Sequence, residues 1–552
     1  MKLLALIPSV ALVSALGCSG GGGEDVESAQ DYGDGTWSQD EAFSSDVATL
    51  LDFTFSGTVI TSAGSTSTAR TTAINAQLFY LVGQLNARTG VAMLNKAVIS
   101  NVTYTSSGGL YTIRYSVSIP VAWGRKTSLP TTLALKLPRR VDSTGISAFH
   151  SKYAATCHDS YPLSAVLTSN FWYHYRPAAT GCSIDTVTDA VDATATIATS
   201  ALNTYSKLPE YHKAWEDGVL KAVAIFGKYE SGATASSDAG ITAWNAFISA
   251  FRTAYPSAAT TPEAIPGGPN ASINDVTFKV TLANGKKFEL VALLVDELKS
   301  EGSTFKNRYA ELSPDADLIM YNGHAGLGSN TSALSNLGNF FPKKWQLFFY
   351  NGCDTSAYQD TTLATRRAAL NADDASGTKY MDMVTNAMPA FFDYMDNAAL
   401  AMISAFTATT PTKTYNQIFS GISTTQVVNV TGEEDNAYSA SSPPAAVWQG
   451  VNESGSVGYK EMKSYETAVL PAGKYIFTLA PNTTSVGGDA DLRVRVGAAP
   501  DTTQTHKCKS YVYNSNELCE ITVATASKVY MTVTGDKRSV SSAYVMKAFG
   551  VK

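Results

Sequence analysis

The sequence predicts a multidomain α+β chain: a β-rich N-terminal domain, a central α/β domain on a mostly parallel sheet, and a further β domain at the C-terminus. Three observations predict it. The chain has 552 residues, more than a single hydrophobic core ordinarily serves. Apolar residues recur with a period of two near both ends, as in Tyr111, Ile113, Tyr115, Val117, Ile119 and Val121, which marks half-buried strands. Between those ends, short continuous apolar runs alternate with stretches of helical spacing, the pattern of a parallel sheet wrapped in helices.

The first domain is assigned to 47–190. Asp52 to Gly57 opens a strand, Ala73 to Leu85 has helical spacing, and Gly108-Gly109 makes a turn before the alternating run. The aromatic run Phe171 to Arg176 reads as another strand. The second domain is assigned to 191–440. Apolar strands are expected at 221–227, 288–295, 317–321 and 345–350, with helices around Trp244 to Phe251, Phe305 to Leu312 and Ser332 to Phe341. The chain then runs through Thr362 to Leu370 and on to Met381 to Pro389. Past 430 the period of two returns in Tyr475, Phe477 and Leu479 and in Val529, Met531 and Val533.

The N-terminus carries a positive start at Lys2 and a short apolar run from Leu3 to Leu16. That run is too short to cross a bilayer as a helix and reads as a signal peptide over 1–18. It ends Ala15-Leu16-Gly17-Cys18, which resembles the lipobox of bacterial lipoproteins and implies acylation of Cys18; ordinary secretion with cleavage near Gly17 is the other reading. The glycine-rich, acidic stretch 19–46 then serves as a flexible linker. The expected location is the cell envelope, lipid-anchored, at an outer membrane or cell surface. A net charge of −6 with only 16% charged residues gives nucleic acid no footing.

Six cysteines are present. With Cys18 given to a lipid, Cys157 with Cys182 and Cys508 with Cys519 are the neighbouring pairs, expected as local disulfides in an oxidising compartment. Cys353 is left over. An odd thiol in an exported chain is either buried and inert or reserved for chemistry.

Two apolar strands end in similar polar signatures: Tyr321-Asn322-Gly323-His324-Ala325-Gly326 and Tyr350-Asn351-Gly352-Cys353-Asp354-Thr355. If the strands are neighbours, His324 and Cys353 emerge on one sheet edge, where functional sites of such sheets lie. A cysteine nucleophile needs a base to become thiolate, and a positioned imidazole supplies one. The amide of Cys353, with that of Ala325 or Gly326, offers an oxyanion hole. The arrangement resembles the caspase-like cysteine peptidases, among them caspases, gingipains, clostripain, legumains, separases and the CHAT domains. The resemblance implies Cys353 as nucleophile and His324 as general base. Ala325 stands where that clan usually has glycine. An acid such as Asp382 in the following strand would favour a basic residue before the scissile bond.

The C-terminal segment, 455–552, resembles the bacterial pre-peptidase C-terminal domain. The likeness rests on Leu470-Pro471-Ala472-Gly473-Lys474-Tyr475, on Gly488-Asp489-Ala490-Asp491-Leu492 and on the Cys508 and Cys519 layout. It implies a β-sandwich. Asp489 and Asp491 are calcium candidates, although such a pair commonly caps a turn; no other cofactor is expected.

The expectation is therefore a surface-tethered cysteine endopeptidase acting on protein or peptide substrates through a Cys353/His324 dyad. The alternative is a non-catalytic envelope binding or adhesion lipoprotein with a degenerate caspase-like domain.

Overall fold

The computed structural model describes residues 44–45, 48–124, 126, 128–204, 207–263, 274–408, 412–422, 426–433, 435–439, 451–481, 488–500, 508–510, 517–536, 538 and 541–551. The signal peptide, Cys18 and nearly all of the expected linker lie outside these residues.

At the centre is a nine-stranded mixed sheet. Its middle is five parallel strands: β1 (Val219–Gly227), β2 (Lys287–Val295), β3 (Leu318–Asn322), β4 (Gln346–Asn351) and β5 (Met381–Asn386). They lie in the order β5-β4-β3-β1-β2. Antiparallel strands close both sides, β6 (Val428–Thr431) beside β5 and Asp275–Thr281 beside β2.

The near-continuous apolar runs follow from this burial. Successive side chains leave a strand on opposite faces, and here both faces are covered. Ala222, Ala224, Met320, Leu347 and Phe349 pack with the helices Ala239–Ala254 and Met395–Thr407 on one side. Val223, Ile225, Ile319, Tyr321, Phe348 and Tyr350 pack with Ser303–Leu312, Ser329–Leu337 and Thr362–Leu370 on the other. The alternation is therefore hidden: neither face has a polar partner to show.

The N-terminal domain is an antiparallel sheet whose longest strands are Thr49–Thr61 and Leu110–Trp123, backed by the helices Ser67–Leu78 and Tyr80–Asn86. Three details differ from the sequence reading. Ser44–Ser45, at the end of the expected linker, pairs antiparallel with β6 at the rim of the central sheet. The strand Ala190–Thr199 belongs to the N-terminal sheet, so that sheet runs past 190. The aromatic run is not a strand: Phe171–His174 is a short helix whose Phe171, with Tyr175, packs around Tyr80 and Phe149. The disulfide Cys157–Cys182 staples this segment as expected.

The C-terminal residues form two four-stranded antiparallel sheets around one apolar core that includes Phe477, Leu492, Val494, Met531 and Met546.

Candidate functional site

β3 and β4 are hydrogen-bonded parallel neighbours with Tyr321 opposite Tyr350 and Asn322 opposite Asn351. His324 and Cys353 each stand two residues beyond that last pair, in the exit turns. The two exit turns are in backbone contact. The Gly323 amide donates to the Asn351 carbonyl at 3.1 Å. A Cβ at Gly352 would sit 2.8 Å from the Gly323 carbonyl oxygen and 3.2 Å from the Ala325 nitrogen, so only glycine lets the turns approach this closely.

A ladder of amides underlies the turns. Asn322, Asn351 and Asn386, the last residues of β3, β4 and β5, are fully buried. Asn351 Nδ2 donates to Asn322 Oδ1 at 2.9 Å, and Asn386 Nδ2 donates to Asn351 Oδ1 at 2.7 Å. The ladder fixes the heights at which three neighbouring strands leave the sheet. Asn322 and Asn351 share the repeated Tyr-Asn-Gly at 321–323 and 350–352, a signal of the ladder, whereas Asn386 follows Thr385 and carries no such mark.

His324 is held from several sides. Its carbonyl accepts the Tyr321 hydroxyl and Asn330 Nδ2, each at 2.8 Å. Its ring lies 4.9 Å from that of Tyr229 and 5.0 Å from that of Phe392, centroid to centroid. Nε2 is 3.1 Å from the Tyr229 carbonyl oxygen. A carbonyl only accepts, so a neutral imidazole here carries its proton on Nε2 and its basic lone pair on Nδ1.

Ala325 occupies ordinary right-handed helical space, with φ −66° and ψ −23°. The left-handed turn falls to Gly326 at φ 59°. Position 325 thus has no conformational need of glycine, and its methyl joins an apolar contact with the N-terminal domain. Leu327 and Asp354 also adopt positive φ, 52° and 53°. These are uncommon for side-chain-bearing residues, and each closely follows one of the two candidate residues.

Cys353 is buried, with its sulfur 3.3 Å from the Ala390 carbonyl oxygen. The expectation of a lone thiol is corrected here. Cys353 is half of a disulfide, and no described cysteine is free. A count of cysteines left Cys353 over, and a count carries no information about which sulfurs lie close in space. Cys519 is likewise disulfide-bonded; the Cys508 side chain lies outside the described residues.

Asp354 connects the site to the N-terminal domain. Fully buried, it accepts from Asn86 Nδ2 at 3.0 Å and from the Tyr173 hydroxyl. Burial pushes its carboxyl up to about 6, against the opposing pull of those hydrogen bonds. Around it, Leu50, Val82, Val91 and Met93 of the N-terminal domain meet Ala325, Ala357, Tyr358 and Ala387 in one apolar cluster. The carboxyl edge of the sheet is therefore roofed, which is why His324 is only 8% exposed and Cys353 only 3%.

Asp382 is not at this edge. It lies near the amino end of β5, opposite Leu347, fully buried and bonded by the Tyr415 hydroxyl and by Asn436 Nδ2. It is a structural acid at the other end of its strand from the His324 and Cys353 turns. Asp491 is buried 3.9 Å from the Arg493 guanidinium, and Asp489 donates its amide to Ser542 Oγ at 2.8 Å. Among the described residues no three potential ligands gather as a metal centre would require.

No family model matches the chain, and no curated protein matches it. Solved structures give slight likenesses. A periplasmic inhibitor of g-type lysozyme from Aeromonas hydrophila is 12% identical, covering 19% of this chain and 86% of its own, with a TM-score of 0.15. A two-domain esterase active on acetylated mannans is 8% identical, covering 62% of this chain and 96% of its own, with a TM-score of 0.18. A 4-O-methyl-α-glucuronidase with specificity for decorated arabinogalactans is 8% identical, covering 35% and 32%, with a TM-score of 0.16. Scores this low carry no argument about fold or function.

Proposed function

We propose that this chain is an envelope cysteine peptidase of caspase-like fold, held latent, with Cys353 as nucleophile and His324 as base. One observation carries the reading: β3 and β4 are adjacent, parallel and in register, so His324 and Cys353 leave the same edge at matching height. The His-bearing and Cys-bearing turns, each after a buried strand, support the resemblance. The paired C-terminal sheets likewise support a pre-peptidase C-terminal β-sandwich.

Latency follows from two locks. Two molecules of a thiol reductant convert the Cys353 disulfide into two protein thiols and leave as their own disulfide. Displacement of the N-terminal domain then opens the edge to a peptide. His324 Nδ1 takes the Cys353 proton, the thiolate attacks the scissile carbonyl carbon, and the amides of Cys353 and Ala325 or Gly326 face the oxyanion. The imidazolium returns the proton to the leaving amine, and water hydrolyses the acyl-enzyme.

A second reading is favoured by the disulfide at Cys353 and by the methyl of Ala325 under the N-terminal domain. In it the domain does no chemistry, and the chain serves in binding or adhesion.

The test is hydrolysis of a pooled fluorogenic peptide library by the full chain, reduced and unreduced, with and without calcium. Activity that appears on reduction and falls at least ~100-fold in both Cys353→Ala and His324→Ala establishes the peptidase. A reduced parent that cleaves nothing and labels slowly with iodoacetamide selects the binding reading.

A further inference from the structure

We propose that the N-terminal domain carries a binding site for an organic carboxylate, in a cavity separate from the His324 and Cys353 turns. The cavity, about 760 Å³, lies beside the end of the helix Tyr80–Asn86, the strand Thr132–Pro138 and the segment stapled by Cys157–Cys182. That volume is in the range of small-molecule sites. Leu133, Ala134 and Pro177 give it an apolar wall, and Arg88, Lys136 and Arg176 line it with positive charge.

The charges divide by their engagement. Arg176 is structural: its Nη1 donates to the Gly83 and Tyr173 carbonyls at 2.6 and 2.9 Å, and its Nη2 to Asp159 at 3.1 Å. Asp159 is the one carboxylate lining the cavity. It also holds His174 Nδ1 at 3.1 Å, so its charge is answered within the wall. Lys136 is loosely met by Asp192 at 3.9 Å, with both side chains at least 40% exposed, a separation and exposure that hold little energy. Arg88 is exposed at the rim. The site thus has two cations in surplus.

Two buried nitrogens add to this. Gln84 is only 7% exposed; its Oε1 accepts the Lys136 amide at 2.9 Å, while Nε2 has no partner among the described residues. Nδ1 of His158 is likewise buried and unpartnered. Both residues line the cavity. An unmet donor costs free energy that a bound acceptor recovers. Surplus cations, an unmet amide donor and an apolar wall together describe a carboxylate attached to an apolar body.

The test is isothermal titration of the full chain with 2-naphthoate and its neutral counterpart, 2-naphthamide, at low and physiological salt. The acid is expected to bind at least ~10-fold more tightly than the amide, about 1.4 kcal/mol. Arg88→Ala combined with Lys136→Ala should erase that preference while leaving thermal unfolding unchanged, since both side chains are partly or wholly exposed. Absence of binding by the acid, equal binding of acid and amide, or an undiminished preference in the double variant would each overturn the site.

Discussion

The two edges of the central sheet are built from opposite materials. At the amino edge, Lys344 pairs with Asp317 and with Glu216 at 3.3 Å, and Lys547 pairs with Asp315 and with Asp217 at 3.3 Å. Asp315 also pairs with Lys221 of β1. Lys547 belongs to the last strand of the C-terminal domain, so this edge is an ionic seam between two domains. At the carboxyl edge the buried groups are mostly neutral: an asparagine ladder, a ring of methyls and aromatics, and one carboxylate, Asp354.

The difference teaches which seam is made to stay shut. Burial would push Lys344 down, but Asp317, Glu216 and Asp217 outweigh it and hold the ammonium above its ordinary range. Burial would raise Asp217, yet Lys547, Lys344 and Lys221 bring it to about 2. Burial still wins at Asp317, pushed up to about 8, and at Lys547, brought down to about 8; removing one member of the cluster leaves its partners in a low-dielectric interior. At the other edge the N-terminal domain rests on apolar contacts and on a carboxylate that favours its neutral form. Such a contact can open without stranding an ion pair.

The largest expected effect is therefore at the amino edge. Lys344→Met leaves Asp317 and Glu216 buried without their cation and should cost about 3–5 kcal/mol in urea unfolding. A loss under 1 kcal/mol would mean the seam is solvated and the contrast between edges is false.

Next is Asp354, where pH tests the roof. Its folded-state value is raised from the usual 3.8 to about 6, so the folded form holds the proton more tightly. The stability it contributes is fully present below about pH 4 and is lost as pH rises through about 6, an order of 3 kcal/mol. Hydrogen exchange at Asn86 and Tyr173 should accelerate from pH 4 to pH 7 after correction for intrinsic rates. Asp354→Asn, suited to the left-handed conformation, should flatten that dependence. An unchanged slope in the variant would remove Asp354 from the account.

How much of this was legible in the sequence depends on what each signal reports. The four strands expected at 221–227, 288–295, 317–321 and 345–350 were legible because burial on both faces leaves unbroken apolar runs. The pairing of β3 with β4 could only be supposed, since adjacency in a parallel sheet is set by crossovers. The segment Phe171–His174 misled because aromatics favour strands on average. Here a cluster with Tyr80 and Phe149 decides the backbone instead. That His324 and Cys353 each follow a buried strand was legible from the apolar runs before them. The disulfide at Cys353, the Tyr229 carbonyl behind His324 and the roof over Asp354 were not, because each is a contact between distant segments.

A smaller effect is expected at the ladder. Asn351→Ala removes the central rung and leaves the Asn322 carbonyl oxygen and the Asn386 amide without that partner. The cost should be about 1–3 kcal/mol, visible as faster amide exchange at Gly323 and Gly352. In a reduced, active protein it should also lower hydrolysis, because the relative height of the two turns is no longer fixed. If exchange stays slow, the backbone bond from Gly323 to Asn351 sets that height alone.

The smallest effect separates the conformational from the packing role of position 325. Since φ there is −66°, Ala325→Gly relieves no strain. It removes one methyl from the interdomain cluster and adds backbone freedom, together about 1 kcal/mol. The loss falls on the roof rather than on the sheet, so exchange should rise at Leu50 and Val82 before it rises in β3 or β4. In a latent peptidase the same change should increase activity at a fixed level of reductant, because a looser roof opens more often. Unchanged activity with a loosened roof would place the whole latency on the disulfide, whereas a drop in activity would mean that the methyl positions His324 itself.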